Sequence, residues 1–487
     1  MTVRVKIFLG FLVLAVLSLP FNANAQKVEN SFQKDFFDFR NSINQQFDSF
    51  VHHNDSVFIQ FLADSWKEFK GIENKAPKPP KPVQQPQINN PLQPKAPDLK
   101  DTTKIIPDLI IHQFMPEKKD TLPPKVEAMG IVSSSFQFYG AEIAIPRPGD
   151  ELPVLSSVTK EGIINYFKSA ANSELINSLI IKVKRCATTC RLNDWGLTSL
   201  LMTAAQKLYS SKNEQVLLTW YALNRNGFNA KVGFNKERVY LLLPVKEKVY
   251  YTSYAIKGID YYLFDFSPTP SDPNLLSIYE ADYPGNKSAF SLLLTETPLL
   301  GNQNITKSIR PDRPFELKIS RDLIDFYNNY PSCELKVFFG APLSEDITRQ
   351  LDKYFNPVLK NLNDDEKVAF LLSFVQRCIP YKTDQEQFGR EKYLFAEETF
   401  YYPAADCEDR SILLAKLINH YTKLATIGLL YPDHVSLAVN MKDLERRKCF
   451  NYKEKRFYCC DATYLGAQCG EVMPRLMNSV PEIIDYN

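Results

Sequence analysis

Residues 407–461 decide how this chain is to be read: Cys407-Glu-Asp-Arg-Ser-Ile-Leu-Leu-Ala-Lys-Leu417, then Thr426-Ile-Gly-Leu-Leu-Tyr-Pro-Asp-His434-Val-Ser-Leu-Ala-Val439, then Arg456-Phe-Tyr-Cys-Cys-Asp461. Ile412, Leu413, Leu414, Leu417 and Ile418 recur at helical steps, which predicts a helix over Ser411 to Asn419 with Cys407 in its first turn. Val435 to Val439 and Arg456 to Cys460 read as strands, so His434 opens one strand and Asp461 closes the next.

A thiol attacks well only as thiolate, and unpaired amides at a helix N-terminus favour an anion there. The same amides can hold the oxyanion of a tetrahedral intermediate. The base has to be a histidine, and the chain has five. His52 and His53 lie far upstream, His112 sits among prolines, and His420 falls at the far end of the helix that Cys407 begins. His434 is the one placed to face a helix start, and Asp461 suits the third role, fixing the imidazole tautomer. Cys407, His434 and Asp461 are therefore the candidate catalytic residues. No cofactor is expected. A zinc site built from these three lacks a fourth ligand at paired spacing, so no metal is expected either. The rival reading makes Cys407 half of a disulfide with Cys378, Cys459, Cys460 or Cys469.

With a cysteine at a helix start, a histidine on the next strand and an aspartate after the one beyond, the chain resembles the transglutaminase-like superfamily. The residues that carry the likeness are Asp406 to Ser411, Asp433-His434-Val435 and Cys460 to Tyr464, within roughly Asp364 to Pro474. The resemblance implies an α+β, papain-like core and acyl transfer through a thioester on a protein or peptide substrate. Hydrolysis is expected rather than cross-linking, because nothing visible in the sequence excludes water. A glutamine donor to the oxyanion is also implied, with Gln385 or Gln387 as candidates beside the plainer reading of a solvated loop. Two features depart from the pattern: the segment Thr383 to Tyr402 is long, and little chain follows Asp461. The alternative is a non-catalytic scaffold or a module binding peptide or cell-wall material on the same fold.

An earlier block repeats the pattern: Asn213-Glu-Gln-Val-Leu-Leu-Thr-Trp-Tyr-Ala-Leu223, then Lys231 to Leu243, then Tyr261-Tyr-Leu-Phe-Asp265. Aligned, Cys407 falls on Asn213, His434 on Arg238 and Asp461 on Asp265, so the first copy would keep the fold and lack the chemistry. Further strands are expected at Ser134 to Phe138, Val239 to Leu243 and Glu334 to Phe339, and further helices at Thr198 to Leu208, Glu214 to Asn224 and Asp364 to Cys378.

Around these blocks the chain divides by composition. Residues 1–25 read as a secretory signal, with Arg4 and Lys6, an apolar run of about 13 residues that is too short to span a bilayer, and Ala23-Asn24-Ala25. Export to a periplasmic or extracellular space follows, with no membrane span in the mature chain. Residues 26–72 carry an amphipathic pattern of one or two helices, expected to be tethered to the rest, and residues 73–124 are a proline-rich linker. A degenerate domain (125–285), a connecting segment with β structure (286–345) and a catalytic domain (346–487) complete the division. With 58 basic and 56 acidic residues, nothing marks nucleic acid as a partner.

Glu408 and Asp409 are expected to stabilise the first helical turn, with Arg410 pairing to either or facing the cleft. Nine cysteines in an oxidising space allow disulfides, the local pair Cys186 and Cys190 first among them. Cys459 and Cys460, adjacent in a strand, should point to opposite faces, one to the core and one outward.

Overall fold

The computed structural model describes residues 53–64, 66–76, 85, 133–146, 152–267, 273–286, 289–309, 315–442, 444 and 447–486. The expected signal segment, most of residues 26–72 and nearly all of the expected linker lie outside the described residues. The chain forms two units, Met1–Val57, of which the described residues 53–57 are helical, and Phe58–Asn487, which holds everything discussed below.

In chain order the strands are β1 Trp66–Lys70, β2 Ser133–Phe138, β3 Ala141–Pro146, β4 Lys231–Phe234, β5 Val239–Leu243, β6 Ser253–Ile256, β7 Ile259–Phe264 and β8 Leu275–Tyr279. There follow β9 Asn304–Ser308, β10 Glu316–Ser320, β11 Thr426–Tyr431, β12 His434–Val439, β13 Cys449–Tyr452, β14 Lys455–Cys460 and β15 Glu482–Ile484. The protein is mixed α and β, as the sequence leads one to expect at that level.

One sheet runs β1-β8-β4-β5-β7-β6 and another β13-β14-β12-β11-β15. Read from β6, the first gives hairpin, long neighbour, hairpin and closing strand in the same succession as the second from β13. All these pairs are antiparallel. The registers also correspond: Leu241 lies opposite Phe264 as Leu437 lies opposite Cys460. Counting from those pairs puts His434 at the place of Arg238 and Asp461 at that of Asp265. A single apolar core runs through both halves, from Phe167 and Trp220 upstream to Leu414 and Leu437 downstream.

The helix Asp364–Cys378 starts at a capping box made by Asn363 and Glu366, and Val368, Leu371, Leu372 and Val375 form its buried stripe. The helix Cys407–Tyr421 is different, because every residue from Cys407 to Ala415 is buried. An all-round buried helix needs apolar residues. This one buries Glu408, Asp409 and Arg410 in its first turn, and that exception marks the site.

Several expectations are corrected. The helical pattern expected up to Gly71 stops short. Trp66–Lys70 is a strand that pairs antiparallel with β8, and Phe58 and Leu62 are fully buried in the main core, so residues 58–72 are part of the fold and not a tethered piece. The apolar run expected as a strand at Glu334 to Phe339 is the short helix Leu335–Gly340. A short, wholly buried run carries no periodicity, and here Glu334 Oε1 accepts from Lys248 N and anchors the helix start. Cys186 and Cys190 are not bridged. They lie one helical turn apart at the end of Glu174–Thr189, and Cys190 N donates to Cys186 O. Cys459 and Cys460 do face opposite ways, yet both are buried, because Ile427, Leu429, Val472, Met473 and Leu476 form a second apolar layer over the Cys459 face. The long segment Thr383 to Tyr402 folds into two short helices, Asp384–Phe388 and Ala396–Tyr401.

Candidate active site

The hairpin β11–β12 closes through Pro432 and Asp433 with Tyr431 opposite His434, which sets His434 at the head of its strand. β14 pairs with β12 and delivers Asp461 at its end. His434 Nε2 and Asp461 Oδ2 are 2.9 Å apart, with both side chains buried. Asp461 Oδ1 accepts from the amides of Thr463 and Tyr464 at 2.9 and 3.1 Å. Although burial pushes the other way, His434 and these amides hold the Asp461 carboxyl below its ordinary value. Asp461 is thus a fixed carboxylate, and with Nε2 engaged, Nδ1 is the imidazole nitrogen left for proton transfer.

Cys407 is the first residue of its helix, and its sulfur accepts from the amide of Val435, the residue after His434, at 3.4 Å. Ser411 Oγ, one turn on, donates to the carbonyl of the same Val435. The fold therefore brings Cys407, His434 and Asp461 to one place. All three are almost fully buried, Cys407 at 1 %, His434 at 4 % and Asp461 at 1 % exposure.

The thiol's surroundings differ from the sequence expectation. Cys407 Sγ donates to Glu408 Oε2 at 2.9 Å. Burial first, then the carboxyls of Glu408 and Asp406, pushes the thiol well above its ordinary value. Burial and these carboxyls together outweigh the half-charge of the helix N-terminus. Glu408 and Asp409, in that first turn, are both fully buried. Glu408 lies against the thiol, and Asp409 Oδ1 accepts from Leu394 N at 2.8 Å. Arg410 pairs with neither of them. Its guanidinium donates to the carbonyls of Ala462 and Ile379 and lies over the Tyr381 ring.

Gln385 is exposed, and Gln387 Nε2 is committed to Ala404 O at 3.0 Å. The glutamine that matters to the triad is Gln376, which the sequence reading missed. Its Nε2 donates to the carbonyls of Asp461, Tyr464 and Ala467 at 2.9, 2.9 and 3.1 Å, and its Oε1 accepts from Gly466 N. The available signal was its position one residue after Val375 on the buried face of an apolar helix. Cys460 and Cys469 lie with their sulfurs 2.8 Å apart beside Asp461, as free thiols.

The upstream half has counterparts to the Val435–Cys407 and His434–Asp461 contacts. Val239 N donates to Asn213 Oδ1 at 2.9 Å, as Val435 N does to the Cys407 sulfur. Arg238 Nη1 and Asp265 Oδ2 are 3.8 Å apart, at the places of His434 and Asp461. Asp265 also lines a cavity of about 820 Å³ walled by Trp195, Tyr250, Tyr251 and Phe266.

No family profile, curated protein or solved structure matches this chain. Among the described residues no helix is long and apolar enough to cross a membrane.

A pH dependence arises close by. Glu397 is fully buried, and burial pushes its carboxyl up to about 7 against the bond it accepts from Ser344 N. Because the folded value is raised, the native state holds a proton that the unfolded chain loses near pH 4.5, so stability falls as pH rises from about 4.5 through 7. Glu397→Gln is expected to remove about 3 kcal/mol of that slope, read from urea midpoints at pH 5 and pH 8.

Proposed function

We propose that this chain is an exported, transglutaminase-like cysteine enzyme that cleaves amide bonds of a protein or peptide substrate by acyl transfer to water. The observation that carries the proposal is the joint placement of a helix-start thiol, a histidine and a buried, ionised aspartate, with His434 Nε2 bound to Asp461 and Val435 N on the Cys407 sulfur. Nδ1 of His434 takes the proton from Cys407 as sulfur attacks the carbonyl carbon. The C–S bond forms as the carbonyl π electrons move to oxygen, and backbone amides at the helix start hold the oxyanion. Collapse expels the amine, which receives the proton from His434, and leaves a thioester. Water, deprotonated by His434, then releases the acid and restores the thiol. With burial and the neighbouring carboxyls holding the thiol well above its ordinary value, His434 acts in this reading as a base during attack.

The corresponding strand order and registers of the two sheets support a doubled core in which the upstream half keeps the framework and carries Asn213 and Arg238 where the chemistry would require a thiol and an imidazole. A binding or scaffold protein is the second reading, favoured by the burial of Cys407.

The two readings separate on the pH–rate profile of iodoacetamide labelling at Cys407. For the enzyme, Cys407 is labelled in the folded protein, and His434→Ala slows labelling near pH 7 by on the order of 10². A Cys407 that stays unlabelled until the protein unfolds, or whose profile ignores His434, sinks the enzyme reading.

A further inference from the structure

The strand β14 ends at Cys460, which lies opposite Leu437 of β12, and the chain returns to that strand end nine residues later. Gly470 N donates to Cys459 O at 2.7 Å, which closes residues 460–469 into a loop with its two ends side by side. Those ends are Cys460 and Cys469, whose sulfurs lie 2.8 Å apart. A disulfide bond is about 2.05 Å long, so the two sulfurs are within about 1 Å of bonding distance. Cys459 points to the other face of the sheet, where its sulfur lies 3.7 Å from Ser436 Oγ.

The two thiols differ in access. Cys460 is wholly buried, whereas Cys469 is half-buried on the wall of a cavity of about 380 Å³ that Phe370, Met441 and Leu444 also line. An oxidant therefore meets Cys469 first. The loop between them carries part of the candidate site. Thr463 N and Tyr464 N hold Asp461 Oδ1, and the loop is tied to the body of the fold by Gln376 and by Arg410 on Ala462 O. All of these ties are hydrogen bonds.

We propose that Cys460 and Cys469 are a disulfide-forming pair, oxidised by exchange with a small-molecule disulfide, and that the bond locks the turn that presents Asp461. The Cys469 thiol loses its proton to water, and its sulfur attacks one sulfur of the oxidant and expels the other half as a thiolate. Cys460 loses its proton in turn, attacks the Cys469 sulfur of this mixed disulfide and expels the second half. Two protein thiols are oxidised to one disulfide, the oxidant is reduced to two thiols, and the two protons end on those products. Closing a loop of about ten residues removes open conformations that hydrogen bonds alone leave accessible. The pair does not depend on Cys407 being a nucleophile.

The test uses the full chain, with oxidised glutathione as the oxidant. Free thiols are then alkylated with iodoacetamide in denaturant, and the mass is taken of the tryptic peptide Phe457–Arg475, which holds Cys459, Cys460 and Cys469. One label in place of three is expected, with all three regained after reduction. Cys459→Ser should keep the bond, while Cys460→Ser and Cys469→Ser should each abolish it. In the oxidised protein, hydrogen exchange of segment 461–468 should slow by at least about tenfold. The unfolding midpoint should rise by roughly 3 °C or more. Three labels after oxidation would overturn the proposal, as would a glutathione left on Cys469 or a bond that survives Cys469→Ser. A bond that changes neither exchange nor midpoint would overturn its hold on the turn. None of these readouts requires turnover, so failure here is distinguishable from failure of the enzyme reading.

Discussion

Cys407→Ala is expected to lower hydrolysis of p-nitrophenyl esters and of peptide amides by at least on the order of 10⁴, with the protein still folded. The loss is that large because the remaining groups cannot substitute for sulfur. His434 and Asp461 would still be paired, but the role proposed for them is to move a proton from a nucleophile that is no longer there. Stability should fall by about 2–3 kcal/mol, since both hydrogen bonds at stake are lost. Val435 N loses its sulfur acceptor and the buried Glu408 Oε2 loses its thiol donor. Ester turnover that survives in Cys407→Ala, with the fold checked by circular dichroism, would remove Cys407 from the chemistry.

Gln376→Met is expected to cost about 3–6 kcal/mol of stability. Volume and helix propensity are nearly conserved, so the cost lies in polar groups. One carboxamide serves the carbonyls of Asp461, Tyr464 and Ala467 and the amide of Gly466, and methionine removes that partner from all four, of which Tyr464 O keeps the amide of Ala467. Each orphaned buried group costs about 1–3 kcal/mol, and relaxation of the 461–467 turn recovers part of the sum. The same turn supplies Thr463 N and Tyr464 N to Asp461, so hydrolysis should fall along with stability. A denaturant midpoint within experimental error of the parent, at equal slope, would show that Gln376 is not what holds the turn.

Much of the candidate site is legible before folding. Apolar spacing after Cys407 marks a helix start, Tyr431-Pro-Asp before His434 marks a hairpin, and Asp461 after five strand-like residues marks a strand end. These are short-range patterns, set by local backbone geometry and side-chain period, and they survive without knowledge of the rest of the chain. The correspondence between the upstream and downstream blocks is legible for the same reason. Its exact partners, Asn213 on Val239 and Cys407 on Val435, agree with the alignment because the register of a two-faced buried sheet cannot slip.

Other features are not local. Whether Cys459 sees solvent depends on residues 472–476 folding back over the sheet, and whether Trp66–Lys70 is helix or strand depends on β8, two hundred residues away. The sequence by itself determined the mixed α and β character, the helix that begins at Cys407, and the order of its three candidate residues. The tertiary structure alone decided the electrostatics of that thiol. Asp384 and Glu391 reach the acidic cluster from the long segment before the helix, and the core wraps Glu408 and Asp409 out of water. Charge acts through space and burial sets its strength, so two acids that read as supports of a first helical turn become buried carboxyls, Glu408 against the sulfur and Asp409 on Leu394 N.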